Sequence, residues 1–315
     1  MVTLEDIQNA HTTIKDSIHY TPLIRSSELS RISHNEVALK SEHLQKTGSF
    51  KIRGAMNKVT QAVKDGATSV TAASSGNHGQ AVAYAASKHG VPATIVVPED
   101  APLSKVNAIR SYNGQVITCG TTSVERIPRA QEIAETDAGV YIPPYDDPYI
   151  IAGQATVGME ILEQMEAVDI VCVPVGGGGL LSGIASAIKQ TKPDVQVIGV
   201  EPEIANDTYL SFQEGSIMSI EETATIADGL RTNQPGDLTF PIVKEYVDEM
   251  VLVSEKEIKS ALLFALERMK QVIEPSGVVA LAGVMFDKLA VRDKNIICIA
   301  SGGNMDIKKV GHLIV

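Results

Sequence analysis

The sequence predicts an α/β protein with two lobes and mostly parallel sheets, whose faces are covered by helices on both sides. Apolar runs alternate with amphipathic helix patterns along the chain, which is typical of parallel α/β layers with right-handed crossovers. The apolar runs are nearly continuous in Val and Ile, as expected of strands buried on both faces. The 315 residues suffice for one large or two medium domains, and 44% apolar residues suffice for a sizeable core.

The predicted elements follow this alternation from residue 69 onward. The predicted strands are residues 69–73, 93–98, 115–120, 169–175, 196–201 and 295–301. The predicted helices are residues 77–89, 103–112, 151–165, 180–190 and 256–271. A further helix pattern begins near Thr122, and we expect Pro128 in its first turn, where proline is tolerated.

The domain organisation is predicted from the order of these elements. Residues 69–146 hold three short βα units and form a small domain, inserted into a large domain made of residues 1–68 and 147–315. Two lobes leave a cleft between them, and open α/β sheets bind ligands outside the carboxyl ends of their strands. Functional residues are therefore expected in the turns that follow strands.

Composition and charge exclude several classes of protein. A net charge of −11 and an aromatic content of 4% do not suit a nucleic-acid-binding surface. No apolar run approaches the ~20 residues of a membrane span, and the start MVTLEDIQNAH lacks the apolar stretch of a signal peptide. The cysteines Cys119, Cys172 and Cys298 have no pairable spacing, so buried free thiols in a reducing compartment are expected. The sequence predicts a soluble cytoplasmic protein.

Four consecutive glycines stand between a predicted buried strand and a predicted helix: Gly176, Gly177, Gly178 and Gly179. Glycine allows positive φ and has no Cβ, so several backbone N–H groups can converge on one anion. The following helix adds the positive end of its dipole. A phosphate site is predicted, and a tight turn without ligand is the alternative. A dinucleotide site would use Glu201 at the end of the next strand, but no register gives the spacing GxGxxG.

A lysine suited to imine formation lies in the segment HLQKTGSFKIRGA. We expect Lys51 just inside a helix opened by Thr47, Gly48 and Ser49, close to the unpaired N–H groups of the first turn. The helix dipole and the charges of the nearby Lys46 and Arg53 depress an amine pKa, as an imine-forming lysine requires. A solvated surface lysine is the alternative.

Two further strand-ending turns carry polar residues. The run SSGNHG precedes a predicted helix, and its N–H groups suit an amino-acid carboxylate, with helix capping as the alternative. In NIICIASGGN, the hydroxyl of Ser301 can point into the cleft, with an ordinary turn as the alternative. The predicted carboxylate site comprises Ser74, Ser75, Gly76, Asn77 and His78.

Seven motifs, in this order, resemble those of fold-type II pyridoxal-phosphate enzymes: SFKIRGA, SSGNHGQA, VPVGGGGLLSG, EPEIANDTY, TIADGL, EPSG and SGGN. The resemblance covers residues 14–307 and is strongest with the serine racemase and serine/threonine dehydratase group. It implies a tryptophan synthase β-like fold, pyridoxal 5'-phosphate as cofactor, and a homodimer. The implied reaction is elimination of water from L-serine or L-threonine, racemisation of serine, or both. The alternative substrate is 3-hydroxyaspartate or another β-hydroxy amino acid.

The resemblance also assigns roles to individual residues. Lys51 corresponds to the Schiff-base lysine, which also takes the Cα proton, and Gly176–Gly179 to the phosphate loop. Asn77 corresponds to the partner of the ring hydroxyl, and Ser301 to the partner of the pyridine nitrogen. Ser75 corresponds to the second acid/base of serine racemases, and it is compatible with inversion and elimination alike.

The resemblance extends to a cation and a nucleotide. Glu201, Asp207 and the carbonyl of Ala205 resemble the divalent-cation site of serine racemases, and such oxygen ligands suit Mg²⁺ or Ca²⁺. Helix capping by Asp207 is the alternative. Positions that bind ATP in animal serine racemases are matched by Lys46, Thr47, Gln80, Tyr112 and Asn304.

Two functions from other classes stay open at the level of sequence. One is an NAD(P)-dependent oxidoreductase that uses the glycine turn and Glu201. The other is a non-catalytic α/β protein that binds an amino acid and does not need Lys51.

Overall fold

The computed structural model describes residues 1–136, 138–221 and 223–311. The strands of these ranges are β1 (Leu23–Arg25), β2 (Glu36–Lys40), β3 (Val70–Ala73), β4 (Ala93–Val97), β5 (Gln115–Thr118), β6 (Val140–Tyr141), β7 (Ile170–Pro174), β8 (Gln196–Pro202), β9 (Glu249–Val253) and β10 (Asn295–Ile299). The α-helices are α1 (Leu4–Ile14), α2 (Ser27–Ser33), α3 (Lys51–Lys64), α4 (Asn77–His89), α5 (Leu103–Ser111), α6 (Ser123–Thr136), α7 (Pro148–Gln164), α8 (Gly179–Thr191), α9 (Asp207–Glu214), α10 (Thr239–Tyr246), α11 (Glu255–Glu267) and α12 (Val279–Met285).

The strands form two sheets. The large sheet has the order β1-β2-β10-β7-β8-β9, in which β1 is antiparallel to β2 and the other neighbours are parallel. The small sheet has the order β5-β4-β3-β6 and is parallel throughout. Mostly parallel sheets with crossover helices confirm the predicted fold class.

Both faces of the large sheet are buried, as its sequence pattern predicts. All five residues of β7 are buried. Ile170 and Cys172 pack on one face with α11 and α12, whereas Val171 and Val173 pack on the other face with α7 and α8. Successive side chains of a strand point to opposite faces, so a strand covered on both sides must be apolar at every position.

A buried network of charges fixes the start of α3 between the large sheet and α7. The guanidinium of Arg53 donates to Glu42 at 2.8 Å and to Glu160 at 2.6 Å, and the amine of Lys40 donates to Glu160 at 2.5 Å. The side chains of these four residues are at most 2% exposed. Because each buried charge has an opposite partner, removing one of them would leave another uncompensated.

Several local predictions were wrong or shifted. The helix predicted over residues 256–271 ends at Glu267, because Lys270 takes a left-handed φ of 60°. Pro128 is the sixth residue of α6 and lies in its second turn, not its first. It is tolerated there because Val124, four residues earlier, is exposed and its carbonyl can bond to water. Cys172 and Cys298 are buried free thiols as predicted, but Cys119 is only half-buried.

Within the described ranges, no helix has both the length and the apolar character needed to cross a bilayer.

Candidate active site

Lys51 is the first residue of α3, and its amine faces the turn that precedes α7. The Nζ donates a hydrogen bond to the Pro144 carbonyl at 2.7 Å and lies 5.1 Å from the centre of the Phe50 ring. The Lys51 side chain is partly buried, and this burial lowers the pKa of its amine to about 8. The predicted direction of the shift is therefore correct. The predicted contribution of Arg53 and Lys46 is wrong, because Glu42 and Glu160 neutralise Arg53, and Lys46 is exposed. The predicted effect of the helix dipole stays a prediction.

The glycine turn lies directly beside this amine. Tyr145, the neighbour of Pro144, packs its ring against Gly177, where an added Cβ would overlap the ring. A Cβ on Gly179 would come within 2.7 Å of the Tyr145 Cβ. The lysine and the glycines are thus joined through two consecutive residues of one turn, as the predicted cofactor site requires.

The glycine turn makes its hydrogen bonds within the described residues through its carbonyls and not through its N–H groups. Its carbonyls are already occupied: that of Gly176 accepts from the Thr208 hydroxyl at 3.1 Å, that of Gly177 from the Thr239 hydroxyl at 2.7 Å, and that of Gly178 from the amide of Ser182 at 2.8 Å. In the described ranges, none of the four glycine N–H groups donates to a protein acceptor. Gly178 has a φ of 87°, and α8 begins at Gly179, one residue before the predicted start. Free N–H groups at a helix start suit a phosphate.

The SSGNHG loop leads into α4 as predicted, but the side chain of His78 is directed away from a substrate. The loop has no side-chain cap on α4, so the capping alternative does not explain it. The Nε2 of His78 lies 2.8 Å from the Ile142 carbonyl and must carry the proton, because a carbonyl only accepts. Burial, and then the charge of Lys51, lower the pKa of His78 to about 3, so the ring stays neutral. Of His78, only the backbone N–H remains available to a substrate carboxylate.

Asn77 is held by a buried polar network that sequence reasoning missed. Its Nδ2 donates to Glu274 at 2.6 Å, and its Oδ1 accepts from Asn304 at 2.8 Å. Burial, followed by the charge of Asp228, raises the pKa of Glu274 to about 8. The motif EPSG, which contains Glu274, was the only sign of this network in the sequence. Its position along the chain does not indicate a contact with Asn77.

Ser301 lies beside the lysine at the end of β10. Its carbonyl accepts from the amide of Phe50 at 3.0 Å, which places it next to Lys51. Ser301 is 4% exposed, and among the described residues none hydrogen bonds its hydroxyl. A buried hydroxyl without a protein partner is free for a ligand atom.

Glu201 and Asp207 form a buried pair of acids at the end of β8 and the start of α9. Burial, and then the charge of Asp207, raise the pKa of Glu201 well above its usual range, and burial raises that of Asp207 to about 7. Glu201 accepts from the amides of Thr208 and Tyr209, so it caps α9 in place of Asp207 and is not free for a ribose. No group of three or more His, Cys, Asp or Glu side chains gathers in the described ranges. The predicted cation site is not such a group, because it consists of two acids and the backbone carbonyl of the buried Ala205. Its oxygen atoms suit a hard cation.

Of the residues predicted to bind a nucleotide, Asn304 and Thr47 are in direct contact. Asn304 donates to the Thr47 carbonyl at 2.7 Å as well as to Asn77. Gln80 is buried on α4, and Lys46 is exposed. Tyr112 packs edge-on against Tyr84 of α4, with ring centres 5.5 Å apart.

A family model, two relatives of known name and a solved structure all match nearly the whole chain. The sequence model of the family described as pyridoxal-phosphate dependent enzyme matches residues 14–302. The chain is 47% identical over 315 residues to an L-threonine ammonia-lyase of Thermotoga maritima, covering 100% of this chain and 78% of that protein. It is 42% identical over 314 residues to the serine racemase of Homo sapiens, covering 97% and 92%. The solved structure of maize serine racemase matches with a TM-score of 0.95 at 36% identity, covering 99% and 96%.

Proposed function

The chain belongs to the family of pyridoxal-phosphate-dependent enzymes, and on that premise we propose that it eliminates water from L-serine or L-threonine, racemises serine, or does both. Elimination yields a 2-oxo acid and ammonia. The proposal depends on one observation, the buried amine of Lys51 beside a glycine turn with free N–H groups. The relatives named threonine ammonia-lyase and serine racemase support both activities.

The residues of the cleft fit the cofactor. The N–H groups of Gly176–Gly179 would hold its phosphate, the Ser301 hydroxyl its pyridine nitrogen, and the Asn77 amide its ring hydroxyl. When bound, pyridoxal phosphate supplies an aldehyde that forms an imine with an amine and a ring that withdraws electrons from the amino-acid Cα. A serine opposite the ring nitrogen leaves less positive charge on the ring than a carboxylate would, and this favours elimination.

Lys51 serves first as nucleophile and then as base. A pKa of about 8 leaves an appreciable fraction of its amine neutral at neutral pH, and only a neutral amine attacks an aldehyde. With cofactor and substrate bound, the same amine would be placed to take the Cα proton. The Pro144 carbonyl orients the amine for both steps.

Ser75 supplies the proton on the other face of Cα when the substrate is inverted. The hydroxyl of its neighbour Ser74 is engaged by the amide of Gly76 at 3.2 Å, whereas Ser75 is half-buried in the same loop. Inversion needs an acid/base on each face of Cα, and Lys51 occupies one of them. Ser75 is therefore the residue that separates racemisation from elimination.

The acid pair and the nucleotide residues carry finer proposals. Glu201, Asp207 and the Ala205 carbonyl would bind Mg²⁺ or Ca²⁺, since two buried acids without a cation repel each other. ATP as an effector, a homodimer and a cytoplasmic location stay predictions. Residues 69–146 are proposed as the small domain, supported by the small sheet, whose strands all lie between residues 70 and 141.

The first prediction tests the lysine. The purified protein with pyridoxal phosphate should absorb violet light through the imine, and Lys51→Ala should lose this band and the release of 2-oxo acid. Lys64→Ala, an exposed lysine at the end of the same helix, should keep both. Products from L-serine, D-serine, L-threonine and 3-hydroxyaspartate, measured side by side, identify the preferred reaction. A colourless wild-type protein that ignores added pyridoxal phosphate would overturn the proposal.

A further inference from the structure

We propose that Asp146 is a positioning residue that holds the Lys51 amine and the glycine turn at a fixed separation. This inference rests on the proposed function. Asp146 follows Tyr145 in the turn that contacts both Lys51 and Gly177. It is not proposed to touch the cofactor or the substrate.

The carboxylate of Asp146 attaches this turn to the start of α10. Its Oδ1 accepts from the amides of Leu238 at 2.8 Å and Thr239 at 3.1 Å, and its Oδ2 accepts from the amide of Asp237 at 3.1 Å. No residue adjacent to α10 supplies a side-chain cap in the described structure. A carboxylate bonded to three N–H groups at a helix start gains from both charge and dipole.

The start of α10 in turn orients the glycine turn. The Thr239 hydroxyl donates to the Gly177 carbonyl at 2.7 Å, and the Gly236 amide lies 3.0 Å from the Thr239 hydroxyl and 3.4 Å from the same carbonyl. A Cβ on Gly236 would overlap the carboxylate of Asp146. With its carbonyl held inside the protein, Gly177 is left with its N–H on the side of the cleft.

The connection therefore runs from the lysine to the phosphate loop through Asp146. On one side, Pro144 accepts from the Lys51 amine. On the other, Thr239 holds Gly177. The aldehyde and the short phosphomethyl arm of pyridoxal phosphate are attached to neighbouring ring carbons, so amine and loop can bind it together only over a narrow range of separations. Small displacements of such groups cost binding and rate, even when each group remains intact.

This positioning role predicts a selective loss of affinity for pyridoxal phosphate, which a general loss of protein stability would not produce. Pyridoxal, which lacks the phosphate, uses only the amine, whereas pyridoxal phosphate uses amine and loop together. In cofactor-free protein titrated with each aldehyde and followed by the violet band, the wild type should bind pyridoxal phosphate more tightly. In Asp146→Ala, this advantage over pyridoxal should fall about tenfold, as expected for the loss of charge-assisted hydrogen bonds. The affinity for pyridoxal itself should stay nearly constant.

Matched variants make the test specific. Asp237→Ala removes the same charge from the same helix start, but its exposed side chain makes none of these bonds, and the advantage should persist. Thr239→Val breaks the link to Gly177 and should reproduce the effect of Asp146→Ala, while Thr239→Ser should restore the advantage. Asp146→Asn keeps the Oδ1 acceptor, so its affinity advantage for pyridoxal phosphate over pyridoxal should lie between those of the wild type and Asp146→Ala.

The outcomes separate this inference from the proposed function. Equal loss of affinity for both aldehydes in Asp146→Ala, or no loss for either, would overturn the positioning role and leave the cofactor assignment standing. Binding of neither aldehyde by the wild type would overturn the proposed function and this inference together.

Discussion

Lys51 shows how a single residue obtains its reactivity from its surroundings. Spacing along the sequence suggested that positive neighbours lower its pKa, yet the charge of Arg53 is neutralised by Glu42 and Glu160, and burial accounts for the shift. The residue type and the position at a helix start could be predicted from sequence. The partners could not, because Glu160 lies on α7, far away along the chain. The same limit applies to Glu274, whose contact with Asn77 joins two distant segments.

Ser75→Ala is the prediction at this scale. Formation of D-serine from L-serine should fall by about 100-fold or more, because the loss of a general acid/base typically costs that much. Release of 2-oxo acid should persist, since elimination needs a base on only one face. Chiral chromatography and a keto-acid assay measure the two rates, and Ser260→Ala on α11 serves as control. An equal fall in both rates would assign Ser75 a binding or structural role.

At the scale of elements, the prediction recovered most strands and helices between residues 69 and 201 and missed several outside that stretch. The helix α4 has the predicted limits, since its strand, its turn residues and Gly90 with a φ of 68° mark both ends. Strands β1 and β6, with three and two residues, were missed because so few residues show no periodicity, and the five-residue strands β2 and β9 were missed as well. α7 begins three residues before its predicted start, because Asp147 caps it and Pro148 follows at its first position.

Pro128→Ala should stabilise the protein. Inside α6 the proline cannot donate to the Val124 carbonyl, so alanine should add a hydrogen bond and raise the free energy of unfolding by about 1–3 kcal/mol. Pro148→Ala should do the opposite by about 0.4–1 kcal/mol, since proline at a first helical position restricts only the unfolded chain. Denaturant unfolding compares the two variants, and a loss of stability in Pro128→Ala would contradict this account of α6.

At the scale of the whole molecule, the two sheets are linked by contacts between segments that are distant in sequence. An ion pair of 2.5 Å joins Lys105 of α5 to Asp228, and the two residues after Asp228 lie against Gly176. The sequence pattern around either residue gives no sign of this ion pair, because the two residues are far apart along the chain. Residue patterns singled out the glycine turn, Lys51 and Ser301, the family resemblance assigned their roles toward the cofactor, and the structure adds how they are held.

Added Mg²⁺ should stabilise the whole protein, because it binds the folded acid pair and not the unfolded chain. At about 100 times the dissociation constant, the gain in unfolding free energy is about 2.7 kcal/mol. A chelator should reverse the accompanying rise in melting temperature. Asp207→Asn should abolish the response, whereas Glu203→Gln, an exposed acid of the same segment, should retain it. If the wild type melts identically with chelator and with Mg²⁺, no cation binds there.

The pairing of β2 with β10 has a consequence for biosynthesis. Glu36 opposes Asn295 in the sheet, so β2 finds its central neighbour only after all the strands and helices between them have been synthesised. The small sheet uses strands from one continuous stretch and can assemble much earlier. Until β10 arrives, the apolar edge of β2 stays open to wrong partners, and long-range pairing of this kind slows folding. We therefore expect nascent chains of this protein to need protection against wrong strand pairing until β10 has been synthesised.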